Sequence, residues 1–277
     1  MRKTSMLGLL LGAGLLLGAV APVAVAGVPG RVVVEQTGAA SLRDKEVVVV
    51  CPSGTKLYSA GGYVDGVPGG AAIINRVMPA ADLSGAVVGA RGVSAVAPWT
   101  LTAYAVCGHG DPVLVRAEPG PTAQLVSFKS TSASCDDVGA LTGVFGEVVD
   151  PTNQATLYGL VPSKDLTTAT ATASGPVDGE WSVKVLATCA SDMVGKTYLE
   201  TGVSGYGTGE WAQKASAQCA PGSPLLGGGG KAQANAPDVV ATLVGLYPDW
   251  DSGTMTAIGA KGASPWYMEA YAICEQP

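Results

Sequence analysis

The sequence predicts an all-β protein made of three pseudo-equivalent repeats, and three observations predict it. Cysteines recur at a fixed period: Cys51, Cys135 and Cys219 stand 84 residues apart, while Cys107, Cys189 and Cys274 follow at spacings of 82 and 85. A tryptophan stands eight residues before each late cysteine, in "WTLTAYAVC" at 99–107, "WSVKVLATC" at 181–189 and "WYMEAYAIC" at 266–274. Helical spacing of apolar residues is nearly absent, and alternation with a period of two is common. Self-similarity at a fixed period outranks any local signal, and alternation is the mark of half-buried strands. The expected architecture is a closed β-prism with pseudo-threefold symmetry: three sheets, one mainly from each copy, with inner faces packed on a common axis. Three tandem small β-sandwiches are the alternative.

In chain order, residues 1–26 read as an export signal. Arg2 and Lys3 give a positive start, Met6 to Val20 is an apolar run broken only by glycines, and Ala24-Val25-Ala26 supplies the small residues before a cut at Gly27. No later stretch is apolar enough to cross a bilayer, so the mature chain of 251 residues (277 − 26) is expected outside the cell. The repeats then occupy 27–112, 113–196 and 197–277. Each opens with strand-like text ending in its early cysteine: "KEVVVVC", "KSTSASC" and "QKASAQC". Glycines follow eight to eleven residues later, at Gly61-Gly62, at Gly143 and Gly146, and at Gly227 to Gly230. Glycine inside a strand is unfavourable unless backbones must come close or a bulge is needed. Its return in register predicts crowding near a shared centre. A P-x-x-D element comes next, "PAAD" at 79–82, "PSKD" at 162–165 and "PDWD" at 248–251, then a turn ("GARG", "TASG", "GAKG"), then the tryptophan-to-cysteine strand.

That last strand explains its own spacing. A separation of eight puts tryptophan and cysteine on one face, about 27 Å apart at strand rise. An aromatic ring fills one end of the face and sulfur fastens the other. Small residues between them, such as Ala103 and Ala105, let a second sheet approach closely. Six cysteines in an exported chain read as disulfides rather than a metal site. Copy-by-copy equivalence favours Cys51–Cys107, Cys135–Cys189 and Cys219–Cys274.

Composition narrows the function. Formal charge is −6, and −8 once Arg2 and Lys3 are removed, so nucleic acid and anionic membranes are poor partners. The single histidine, His109, excludes multi-histidine zinc sites and leaves little room for a Ser-His-Asp triad. Neither a G-x-S-x-G elbow nor a G-x-x-x-x-G-K-[ST] phosphate loop occurs. The recurring aspartates Asp82, Asp165 and Asp251 read first as turn chemistry, in which proline fixes φ and the carboxylate accepts backbone N–H groups. Their functional reading is a carbohydrate-binding loop on each copy. Only the third copy sets an aromatic ring there, Trp250, with Asp249 beside it. Asp249 and Asp251 also open like a calcium loop, but the carboxylate such a loop needs near position 260 is an alanine. No cofactor, metal or catalytic residue is expected.

The elements C-P-x-G (Cys51 to Gly54), the following Gly-Gly, and W-x-x-x-A-x-A-x-C (Trp99, Ala103, Ala105, Cys107) resemble a module of exported actinobacterial proteins. The third copy matches in Gly227 to Gly230 and in Trp266, Ala270, Ala272 and Cys274. The second departs most, with Asp136-Asp137 after its early cysteine. The resemblance implies export and a β-rich fold, not an activity. The threefold outline is similar to that of vitelline membrane outer layer protein I, a β-prism, by architectural analogy. The function expected is that of a secreted, non-enzymatic structural or interaction protein of the cell envelope or extracellular space, with an extracellular glycan or a secreted protein as partner. The alternative is a lectin-like protein using loops near the P-x-x-D turns.

Overall fold

The computed structural model describes residues 27–67, 70–117, 127–207, 212–234, 241–261 and 265–277. The expected export signal, 1–26, lies outside the described residues. The chain is all-β, with one short 3-10 turn at Ser191–Met193 among the described residues. The first copy supplies β1 (Val32–Thr37), β2 (Lys45–Val50), β3 (Lys56–Asp65), β4 (Ala72–Pro79), β5 (Gly85–Gly92) and β6 (Thr100–Gly108). The second supplies β7 (Val113–Arg116), β8 (Phe128–Ser134), β9 (Ala140–Val149), β10 (Thr156–Pro162), β11 (Thr168–Ser174) and β12 (Ser182–Ala190). The third supplies β13 (Thr197–Val203), β14 (Ala212–Gln218), β15 (Leu225–Ala234), β16 (Ala241–Asp249), β17 (Thr254–Lys261) and β18 (Trp266–Glu275).

Pairing recurs from copy to copy. The last strand of each copy runs between its first and third strands (β1-β6-β3, β7-β12-β9, β13-β18-β15), and the fifth runs between its second and fourth (β2-β5-β4, β8-β11-β10, β14-β17-β16). Every pair is antiparallel. The two layers of a copy face each other, and the disulfide crosses between them. Cys51–Cys107, Cys135–Cys189 and Cys219–Cys274 are all formed, with Cα separations of 5.7, 5.6 and 5.6 Å. Each closes a loop of 54 to 56 residues, which chain-entropy reasoning values at roughly 4 kcal/mol.

The expected three-sheet prism needs correction. Four hydrogen-bonded sheets of three, six, six and three strands pack in a ring, a division that is not threefold. The copies fuse edge to edge at two junctions, β4 with β9 and β10 with β15, and each fusion makes a six-stranded sheet. Between β16 and β3 the strands approach without a ladder among the described residues. There a Cβ on Gly245 would meet the Cβ of Tyr63 at 2.9 Å. The Tyr63 and Tyr247 rings stack at 4.3 Å, and the Tyr247 hydroxyl donates to the Val64 carbonyl. Paired aromatic side chains close this junction where backbone hydrogen bonds close the others.

The glycine register marks the interior. A Cβ on Gly143 would lie 2.7 Å from the Tyr58 carbonyl oxygen, and one on Gly227 2.0 Å from Ser59 Oγ. Both neighbours belong to the first copy. The third strand of every copy bulges here, at Tyr58, Thr142 and Leu226, and Thr142 Oγ1 donates to the Tyr58 carbonyl across copies. One contiguous apolar core includes Trp99, Trp181 and Trp266, each at most 1% exposed. The tryptophan-to-cysteine strands depart from simple one-faced burial: in β6 and β12 most of the face opposite the tryptophan is buried too, and in β6 Tyr104 on that face meets Trp250 of the third copy edge-on.

Candidate functional site

Each P-x-x-D element forms the tight turn between the fourth and fifth strands of its copy. Asp82 Oδ1 accepts from the Ser84 hydroxyl at 2.7 Å and the Ser84 amide at 3.0 Å. Asp165 Oδ1 accepts from the Ser163 and Thr167 hydroxyls at 2.6 and 3.1 Å. In the third copy the carboxylate that organises the turn is Asp249, accepting from the Asp251 and Ser252 amides at 3.2 Å each. These bonds hold the three carboxyls below the ordinary range: from Ser84 for Asp82, from Ser163 and then Thr167 for Asp165, and from Ser252 for Asp249. The turns also clamp the cysteine loops. The Cys51, Cys135 and Cys219 amides donate to the carbonyls of Ser84, Thr167 and Gly253. Leu83 and Leu166 take the left-handed region, with φ of 57° and 55°, where leucine is uncommon. Their side chains are buried, which offsets the strain.

Trp250 is not a platform open to a sugar. Its Nε1–H donates to Glu35 Oε1 at 3.0 Å, its ring meets Tyr104 edge-on at 5.4 Å, and the Arg31 guanidinium lies 5.5 Å from its centroid. All three partners belong to the first copy. Asp251, two residues from Asp249, is exposed on the same turn. The structure therefore groups Asp249, Trp250 and Asp251 on one turn and leaves Asp82 and Asp165 on the turns of the other two copies.

A cleft of about 470 Å³ opens instead where the three copies meet. Asp44 and Arg91 come from the first copy, Asn153, Gln154 and Thr156 from the second, and Thr242 from the third. Arg91 is 8% exposed; its two terminal nitrogens donate to the carbonyls of Asn153 and Ala155, the latter at 2.7 Å. Its Nε has no partner among the described residues. Burial pulls the guanidinium below its ordinary value, against the attraction of Asp150 and Asp44. Asn153 presents its carbonyl from a left-handed conformation, φ 57°. Asp150 supports that loop: burial would raise its carboxyl, but bonds from Ala155, Thr152 and Gln154 bring it below the usual range. Carboxylate, guanidinium, amide and hydroxyl groups around one opening suit a hydroxylated ligand. Among the described residues, no group of three or more His, Cys, Asp or Glu side chains is placed to hold a metal ion.

Sequence reasoning passed over Arg91. Its signal lay in the recurring turn, whose third letter is Arg in "GARG", Ser in "TASG" and Lys in "GAKG". A position where copies differ in charge is one that the shared fold does not dictate. Comparison with protein-family models and with curated protein sequences gives no match to the chain.

Proposed function

We propose that the chain is an exported, non-enzymatic β scaffold of the bacterial cell envelope or extracellular space, with a structural or interaction role. The carrying observation is where the polar and aromatic side chains go. Asp82, Asp165 and Asp249 hold their own turns, Trp250 fastens one copy to another, and three disulfides join the layers within copies. Disulfides on this scale suit an oxidising compartment. No helix among the described residues is long and apolar enough to cross a membrane. The resemblance to exported repeat modules supports the same placement. The three copies act here as equivalent units, a reading supported by the recurrence of one six-strand pairing scheme. The test is an affinity capture from culture supernatant and wall material with the intact protein. A partner protein or polymer retained by the oxidised protein and lost on reduction is expected. Product release from labelled wall or polysaccharide substrates, abolished by Asp251→Asn, would contradict the reading.

A lectin-like function is a second reading, favoured by the cleft at the meeting of the copies rather than by the P-x-x-D turns. A glycan array separates the two locations. Binding lost in Gln154→Ala and kept in Trp250→Ala assigns it to the cleft; the reverse returns it to the third turn.

A further inference from the structure

The first described residues form a strap between the first and third copies. Residues 27–31 run between the end of the first copy and the last strand of the third. The His109 amide donates to the Pro29 carbonyl at 2.7 Å, and a terminal nitrogen of Arg31 donates to the Leu225 carbonyl at 2.5 Å. Val28 is 5% exposed and packs where a Cβ on Gly108 would lie 2.1 Å from its side chain.

At the centre of this strap sits Glu275, 2% exposed, on β18. Its Oε2 accepts from the Val28 amide at 3.0 Å. Its Oε1 lies 3.6 Å from Arg31 Nε, beyond hydrogen-bond reach, and has no hydrogen-bond partner among the described residues. Asp111 and Asp192 lie close enough, with Glu275, to raise the Tyr58 hydroxyl to about 12, behind burial as the main cause. At Glu275 itself burial raises the carboxyl, against the Val28 bond and the attraction of the Arg31 guanidinium. A buried carboxylate left half-satisfied calls for another cation or donor.

Gly27 lies against the same carboxylate on its Oε2 side, with Oε1 3.8 Å from where its Cβ would stand. A Cβ on Gly27 would lie 1.8 Å from Glu275 Oε2, so the backbone runs directly against the carboxylate. Standard geometry then sets the Gly27 nitrogen at most about 4.3 Å from that oxygen. Gly27 is also the residue that follows Ala26, where the sequence places the export cut.

We propose that hydrolysis of the Ala26–Gly27 peptide bond gives the Glu275 carboxylate a second cationic partner beside Arg31, and that this processing locks the third copy onto the first. Water adds across the bond under a signal-peptidase-class protease, leaving a carboxylate on Ala26 and an ammonium on Gly27. The neutral amide of the precursor becomes a cation facing a buried carboxylate. The ring is then held more tightly after export than before it. The proposal rests on the export reading.

The test begins with the N terminus of the exported chain, read by mass spectrometry. A start at any residue other than Gly27 overturns both the cut and the lock. With the start at Gly27 established, denaturant unfolding compares that chain with one extended by a single residue to begin at Ala26, each with and without Glu275→Gln. The expected result is an unfolding equilibrium constant about tenfold smaller for the Gly27 chain, the size of a hydrogen bond to a charged group. That gap should disappear in the Glu275→Gln pair. Equal stabilities with Glu275 present, or a gap that persists in Glu275→Gln, would overturn the lock while leaving the export reading intact.

Discussion

At the residue scale, the recurring glycines carry the sharpest constraint. Gly229 faces the Leu160 carbonyl oxygen, 2.1 Å from where a Cβ would stand. Gly205 has nothing within 4 Å. Gly229→Ala is expected to cost about 1–3 kcal/mol, because β10 must shift to admit the methyl group. Gly205→Ala should stay within about 0.5 kcal/mol of wild type. Paired denaturation curves check both. The turn aspartates give a pH signature whose sign follows from their lowered values. Their hydrogen bonds contribute in full above the unfolded carboxyl value, near about 3.9, and are lost as pH falls through the lower folded values. Asp165→Asn should therefore flatten the fall in melting temperature on acidification below about pH 4, measured by thermal scans across that range.

A shared position six residues before each early cysteine also acts at this scale. Lys45 and Lys129 hold their ammonium groups 4.2 and 4.4 Å from the Trp99 and Trp181 ring centroids. Gln213 takes the same place in the third copy, and its amide donates to the Trp266 carbonyl at 2.9 Å. The sequence displays that register, yet nothing in it says that the position covers a ring. The turn role of Asp82 and Asp165 was legible from proline chemistry. The use of Trp250 was not, because its partners Glu35 and Tyr104 lie more than a hundred residues away and no periodicity links them.

At the element scale, the strands, their alternation and the disulfide pairing could be read directly. The period fixed the equivalent positions, and parity fixed the faces. The way copies fuse could not be read, because edge pairing between β4 and β9 or β10 and β15 is short and involves different residue types. Arg76 faces Glu147 at the first junction, with Arg76 Nε 3.4 Å from the carboxylate; Gly159 faces Lys231 at the second. At the third, tyrosine stacking takes the place of a ladder. Backbone amides on the facing edges of β3 and β16 should exchange with solvent faster than those at the two laddered junctions. Tyr247→Ala should accelerate exchange at β3 and β16 while leaving β4–β9 and β10–β15 unchanged. Residue-resolved hydrogen exchange reads this directly.

At the scale of the whole molecule, three stapled units share one core and contact one another around a common interior. Sharing was expected from the glycine register, and the four-sheet division was not. Removing one staple tests how far stability is shared. The double variant Cys135→Ala with Cys189→Ala should lose roughly 4 kcal/mol in one cooperative transition, rather than releasing the second copy alone. The most direct test of a ring closed from third copy to first is small-angle X-ray scattering of the chain from Gly27. A compact particle of 251 residues (277 − 26) should have a radius of gyration of about 18 Å. An elongated scattering profile, with a radius roughly half as large again, would mean that the units are strung out and that the ring is open.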